Sequence, residues 1–313
     1  MKEGSAKLAN RLDAALGAGD LTAVADAHPA DRRDRFLTLG LVYDLHRAPL
    51  HEVGARARWQ HHPAVAAVKH RLEAAWLDEL EAVPLPAVDP PGTAEELSAM
   101  AARDRSPAIY RWIATEAPWD ATLRFLALEG GPDDIFDDLV ATCQVGLPLG
   151  PAKMELAGNY WDEMGNGDLP AVHNVLYQRF VDAVDLPRIP AVEQPVEALE
   201  RSALLGLLAT NRYLQPELVG ALGLIELEAG PHCRYVEQGL RRLGAPEGAH
   251  EFYSMHAEVD PLHGRGWLDN AVTPLTEQFP EWGGRILRGA VWKSRANQGL
   301  FAWAERELLP VAA

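Results

Sequence analysis

The chain has 313 residues, 48% of them hydrophobic, and carries a formal net charge of −16. This length and apolar content can bury a large core in one helical domain, or in one domain with a smaller companion. The negative charge disfavours nucleic acids and anionic membrane surfaces as partners, because both attract basic patches.

Cysteine content and hydropathy indicate the cellular compartment in which the protein works. Two cysteines, Cys143 and Cys233, are too few for a disulfide framework or a thiolate metal site, so we expect two buried free thiols. The N-terminus lacks the apolar run of a signal peptide. The most apolar region, residues 203–226, is interrupted by polar and charged side chains and should not span a bilayer. We therefore expect a cytoplasmic protein.

Helical periodicity dominates the chain, and alternating β-branched runs are nearly absent, so the predicted fold class is all-α. In the N-terminal part, helices are predicted at about 6–16, 31–48 and 63–80. Four prolines between Pro84 and Gly92 cannot continue a helix and mark the clearest linker. We divide the chain there into an N-terminal helical extension with its linker, residues 1–92, and a main domain, residues 93–313. A long loop within one domain is the alternative.

The main domain carries stronger helix signals. Thr93 and Glu96 have the spacing of a capping box. Acidic residues directly after Pro132 indicate the first turn of a helix, because they interact favourably with the helix dipole. Glycine and proline interrupt the helical pattern at residues 165–170. Helices are predicted at about 106–128, 132–145, 151–164, 171–184, 195–211, 215–229, 231–243, 248–263 and 281–308.

The sharpest chemical signal is the spacing of His256, Asp260 and His263. Positions i, i+4 and i+7 share a narrow arc of a helix, and imidazole with carboxylate suits iron, manganese or zinc. The alternative is a polar, solvated helix face, although neighbours such as Phe252 favour burial. The residues alone leave these two interpretations balanced. Pro261 removes a helical N–H and should kink the helix within the motif.

Two other segments carry weaker signals. Glu163 and His173 flank the interruption at 165–170, which lets the chain re-aim both side chains, yet an ordinary helix–turn–helix corner is favoured on this evidence alone. Glu226 ends an apolar stretch, and a buried carboxylate needs a cation, an arginine or a proton. A metal ligand and an ion pair with Arg234 remain equal alternatives for Glu226.

Together these segments resemble the haem-oxygenase-like di-iron oxidase family, also described as iron-containing redox enzymes. The resemblance covers about residues 132–263 and rests on the order of three blocks. These are Asp137-Asp138-Leu139 through Asn159-Tyr160-Trp161-Asp162-Glu163-Met164-Gly165 to His173, then Ile225-Glu226 with Arg234 to Gly244, then Phe252-Tyr253 with His256, Asp260 and His263. The resemblance implies an up-and-down helical bundle preceded by the N-terminal extension.

The resemblance also implies a cofactor, two Fe(II) ions, with O2 as co-substrate and no catalytic side chain beyond the metal ligands. The implied ligands are Glu163, His173, Glu226, His256, Asp260 and His263. Some relatives add a carboxylate from the preceding helix, for which Asp137 is the candidate. The alternative for Asp137 is a solvated acid within an acidic run. Asp162, Tyr160 or Glu258 would orient the ligating imidazoles.

The implied activity is oxidation of a small amine, an amino-acid-derived compound or a fatty acid, by N-oxygenation, desaturation or C–C cleavage. The expected partners are this small-molecule substrate, an external electron donor and a second copy in a homodimer, with no nucleic acid and no membrane. Two alternatives stay open. One is a metal-free enzyme or small-molecule binding protein of the same fold, like the thiaminase-type relatives. The other is a non-catalytic helical interaction protein.

Overall fold

A computed structural model describes residues 7–22, 24–104, 107–131 and 135–310. Every regular element in these ranges is helical and none is a β-strand, which confirms the predicted all-α class. The helix start predicted at Pro132 lies outside the described residues. Within the described ranges, no helix combines the length and the apolar content needed to cross a bilayer.

Short 3-10 turns link many of the helices, and one π-helical stretch, Trp267–Val272, joins two of them. In the described ranges the α-helices are α1 (Leu8–Ala18), α2 (Arg32–Arg47), α3 (Leu50–Val53), α4 (Pro63–Glu81), α5 (Thr93–Arg103), α6 (Ala108–Thr115), α7 (Trp119–Glu129), α8 (Phe136–Gln144), α9 (Pro151–Glu163), α10 (His173–Val184), α11 (Val196–Thr210), α12 (Gln215–Arg242), α13 (Glu251–Gly266), α14 (Thr273–Gln278) and α15 (Trp282–Leu308).

The first of two packing units comprises Met1–Pro84 and Pro190–Arg212, so it holds α1 to α4 together with α11. Helix α11 packs on α2, where Gly206 meets the ring of Tyr43 so closely that a Cβ would lie 2.3 Å from it. The sequence pattern places α11 in the main domain, residues 93–313. The division at residues 92 and 93 stays a prediction, and the packing groups 190–212 with the N-terminal helices.

The second unit comprises Leu85–Ile189 and Tyr213–Ala313 and is organised around α12, which packs on α13, α15, α6 and α5. Helices α12 and α15 touch through their backbones. A Cβ on Gly220 would lie 1.8 Å from the Ile286 carbonyl oxygen. The break predicted near residue 230 is wrong, because α12 continues through Pro231. Burial between neighbouring helices stabilises a helix more than one lost hydrogen bond weakens it.

Two further local predictions are wrong. The helix predicted over 106–128 is divided into α6 and α7, because Pro118 caps α7 and disfavours helical geometry in the residue before it. The capping box at Thr93 does not form. The Thr93 hydroxyl instead donates to the Pro90 carbonyl at 2.8 Å, and Gly92 takes the cap position.

Candidate metal centre

The interruption between α9 and α10 brings together the side chains at its two ends. Glu163 ends α9 and His173 begins α10, with two 3-10 turns between them. Gly165 has a φ of +61°, and a Cβ there would lie 2.7 Å from the Ala171 carbonyl carbon, so only glycine fits this turn. The chain therefore folds back, and Glu163 Oε2 lies 2.8 Å from His173 Nδ1.

Helix α13 supplies the predicted three-residue motif. His256, Asp260 and His263 all line a cavity of about 280 Å³ that Glu163 and His173 also line. The kink expected at Pro261 stays a prediction, but the helix does not end there, because α13 continues from Glu251 to Gly266.

The reason lies in the neighbouring helix. Gly230 of α12 faces the ring of Pro261, and a Cβ at Gly230 would lie 3.0 Å from Pro261 Cδ. Because Gly230 has no side chain, the Pro261 ring fits between α12 and α13.

Glu226 reaches the site from α12. Its Oε2 lies 3.5 Å from His263 Nδ1. A Cβ on Gly264 would lie 2.9 Å from Leu227 Cδ2 and 3.3 Å from the Glu226 carbonyl oxygen, so the glycine permits this close approach of α13 to α12. Arg234 donates instead to the Ala257 carbonyl at 2.9 Å. The described contacts of Glu226 thus favour the metal-ligand interpretation over an ion pair with Arg234.

The donor atoms lie at separations that suit bound cations. His173 Nδ1 lies 2.8 Å from Glu163 Oε2 and 2.9 Å from His256 Nε2. Two adjacent ligands each about 2.1 Å from one ion are about 3 Å apart. One donor atom each from Glu163, Glu226 and His263 also lie within 4.8 Å of one another. The donors therefore form two neighbouring groups, with Glu163 close to both.

The chemistry of these donors fits iron. Three carboxylates and three imidazoles form a mixed oxygen and nitrogen set of the kind that Fe(II), Mn(II) and Zn(II) accept. Glu226 and Asp260 are each 3% exposed, and Glu163 is 6% exposed. Burying three carboxylates together is costly unless cations compensate them.

Hydrogen bonds fix which nitrogen faces the centre in two of the three imidazoles. His256 Nδ1 lies 2.6 Å from the Phe252 carbonyl oxygen, so this nitrogen carries the proton and Nε2 presents its lone pair. His263 Nε2 lies 3.2 Å from Asp162 Oδ2, so His263 donates there and turns Nδ1 toward Glu226. Asp162 thus takes the orienting position expected of it.

The electrostatics of the cluster favour a cation. Burial, followed by the neighbouring His173, lowers the pKa of His256 to about 4, so it is a neutral ligand at pH 7. Burial opposes charge on His263, but its contact with Glu226 and the nearby carboxylates outweigh burial and raise its pKa to about 10. In the metal-free cluster His263 therefore holds the compensating positive charge that a metal ion would replace.

Aromatic rings close one side of the centre. The Phe252 ring lies 4.2 Å from the His256 ring and 5.1 Å from the His173 ring, measured between centroids. Phe136 stacks on His173 at 6.1 Å. These apolar walls keep water away from the imidazoles. Trp161, near the end of α9, is 53% exposed.

Asp137 and Asn159 lie on the two helices that precede His173, α8 and α9, respectively. Asp137 lies in the first turn of α8, where its Oδ1 accepts from Asn174 Nδ2 at 3.3 Å, and it is not among the described residues that line the cavity. Its role as a ligand stays a prediction. Asn159 was given no role, yet its Nδ2 donates to Glu226 Oε1 at 2.7 Å. Its position four residues before Glu163 on α9 is the signal that could have shown it.

Comparisons with known proteins identify the family and support the fold. No curated protein matches the sequence. A crystal structure of a CADD-like protein of unknown function from Nostoc punctiforme is similar, with a TM-score of 0.56 and 14% identity over 70% of this chain and 97% of that chain, and this likeness supports the haem-oxygenase-like fold. A family model described as iron-containing redox enzyme matches residues 124–298, more than half of the chain. This range contains all six predicted ligands, and the chain belongs to the iron-containing redox enzyme family.

Proposed function

We propose that this protein is a non-haem di-iron oxidase that activates O2 to oxidise a small organic substrate. The observation that carries the proposal is the convergence of donors from α9, α10, α12 and α13, in which His173 Nδ1 lies within 2.9 Å of both Glu163 and His256. Bringing six such groups together in a core has no structural benefit unless cations bind them.

The two groups of donors suggest how two ions would be shared. One ion would be held by Glu163, His173 and His256, and the other by Glu226, Asp260 and His263, with Glu163 near both. Bound Fe(II) would supply the redox chemistry and the affinity for O2.

The protein's own contribution is positional. Phe252 and Asp162 set the imidazole tautomers through their contacts with His256 and His263, respectively. The aromatic wall of Phe136 and Phe252 excludes water from the imidazoles. The cavity beside the donors receives the substrate.

The cavity favours a small amine or amino-acid-derived substrate over a fatty acid. Its volume of about 280 Å³ is at the small end for ligand pockets. Its described lining includes Asp162 and Asn166 but no lysine or arginine that could pair with a substrate carboxylate. Met255 and Val259 add apolar surface to the same lining. N-oxygenation, desaturation and C–C cleavage all remain within the proposal, as do an external electron donor and a homodimer.

Anaerobic loading with Fe(II), followed by removal of free metal and iron analysis, tests the proposal. We expect two irons per chain and O2 uptake that depends on the bound iron and increases with a matching amine. His256→Ala should lose at least one iron. His250→Ala is the matched control, because His250 lies near the start of the same helix but does not line the cavity.

The alternatives give different results. A metal-free enzyme or a small-molecule binding protein would retain no stoichiometric iron yet still bind or convert a ligand. A helical interaction protein would retain no iron, and its partner binding would survive His256→Ala. Either result would overturn the oxidase proposal.

A further inference from the structure

The two oxygens of the Glu226 carboxylate have different neighbours. Oε1 accepts a hydrogen bond of 2.7 Å from Asn159 Nδ2, whereas Oε2 lies 3.5 Å from His263 Nδ1. Glu226 and Asn159 are each 3% exposed, so water does not compete for either contact. A buried amide that donates to a carboxylate is a charge-assisted hydrogen bond, which is stronger than a neutral one.

Asn159 is placed to act on the metal centre. It lies one helical turn before Glu163 on α9, so the two side chains share one face of the helix. The amide must present its nitrogen to Glu226, because the opposite orientation would set two oxygens against each other.

The amide also has a cost that a merely structural residue would avoid. Among the described residues, Asn159 Oδ1 has no hydrogen-bond partner, and leaving a buried oxygen unsatisfied is unfavourable. A leucine of similar size would fill the same space without that cost. The gain from the amide must therefore come from its contact with Glu226.

We propose that Asn159 is a positioning residue that holds Glu226 Oε1, so that Glu226 binds its metal ion through Oε2 alone. This inference rests on the proposed function. A carboxylate free to use both oxygens would occupy two coordination positions on one ion. By engaging one oxygen, Asn159 keeps a position available for substrate or O2 at the ion shared by Glu226 and His263.

The test uses metal binding rather than turnover. Wild type, Asn159→Leu and Asn159→Ala are titrated anaerobically with Fe(II) against a chelator, and with Co(II), whose visible spectrum reports coordination number. We expect both variants to bind one of the two ions about 10–100-fold more weakly, the usual effect of removing a partner of a metal ligand. We also expect the Co(II) bands to weaken as the coordination number rises.

A matched control comes from α15, which packs on the same central helix. Asn297 is 5% exposed and donates to Glu228 Oε2 at 3.1 Å, so it forms a second buried amide–carboxylate pair, but on the side of α12 that faces α15. Asn297→Leu should lower the melting temperature while leaving both metal affinities and the Co(II) spectrum unchanged.

The outcomes separate this inference from the proposed function. Failure of the wild type to bind two metal ions would overturn the proposed function and the inference with it. Two wild-type ions with unchanged affinities and spectra in the folded Asn159 variants would overturn the inference alone. If Asn159→Leu does not fold, Asn159→Ala, which cannot overpack the core, decides the result.

Discussion

Asp162 Oδ2 lies 3.2 Å from His263 Nε2, which joins a half-exposed carboxylate to a side chain of the buried centre. The contact directs the other nitrogen of His263 toward Glu226. A partly exposed side chain therefore contacts a predicted ligand of the centre, and this relationship can be tested without disturbing the core.

Asp162→Ala should weaken the binding of one iron about 10–100-fold, because His263 loses the acceptor that sets its tautomer. The side chain of Asp162 is 42% exposed, so the melting temperature should change little. Glu258→Ala is the control, since it removes an exposed acid from α13. Equal iron affinities in the two variants, measured by chelator competition, would show that Asp162 orients nothing.

Gly264→Val should destabilise the fold by about 1–3 kcal/mol and also weaken iron binding, because the added atoms would push α13 away from Leu227 and Glu226. Urea denaturation and iron analysis measure the two effects. Gly284→Ala is the control, since a Cβ there meets nothing within 4 Å. A Gly264→Val protein that is less stable but binds two irons normally would contradict the role given to this crossing.

Metal binding should release a proton from His263. The metal-free protein holds this side chain protonated at pH 7, because its pKa is raised to about 10, and a metal ion at Nδ1 must displace that proton. Affinity for the ion at this site should therefore increase about tenfold per pH unit between pH 7 and 9. Calorimetry in two buffers of different ionisation enthalpy counts the protons released. A metal affinity that does not change with pH would contradict the release of a proton from His263.

Stability of the metal-free protein should fall on acidification because of His232. Burial, with a smaller effect of Lys293, lowers the pKa of His232 below its ordinary value of 6.5, although the Asp104 carbonyl opposes this. The unfolded chain therefore takes up the proton first, so the stability from neutral His232 is complete above about pH 6.5 and is lost as the pH falls toward the folded pKa.

His232→Gln should reduce this pH dependence. Glutamine keeps a donor for the Asp104 carbonyl, which lies 2.9 Å from His232 Nε2, but does not titrate. Urea midpoints at pH 7.5 and 5 measure the slope for wild type and variant. Identical slopes would assign the acid sensitivity to other groups.

The sequence was informative where local geometry decides the outcome. The spacing of His256, Asp260 and His263 places them on one helix face, and they do line one cavity. The all-α class followed from periodicity in the same way. The meeting of Glu163 with His173 could not be derived from the residues, because it depends on the exact turn that Gly165 permits. The residues alone allow this meeting but favour an ordinary helix–turn–helix corner, and only the family resemblance implies that the two side chains meet.

Contacts between distant segments account for the features of the fold and site that the sequence pattern does not predict. Two separate helices were predicted at 215–229 and 231–243, but α12 is continuous because neighbouring helices pack on several sides of it. Pro261 lies inside the continuous α13, and the space that accepts its ring is made by Gly230, 31 positions earlier. The role of Asn159 depends on Glu226 of another helix. The intrinsic helix propensity of a residue carries no information about any of these pairings.

The fit of the Pro261 ring against Gly230 has an evolutionary consequence. Neither residue is a ligand, and neither would be selected for chemistry alone. A larger side chain at position 230 would collide with the ring, whereas glycine beside an ordinary residue at 261 would leave a gap. Among relatives of this protein, the two positions are therefore expected to covary, and their joint presence would identify the subgroup in which these two helices cross as closely as they do here.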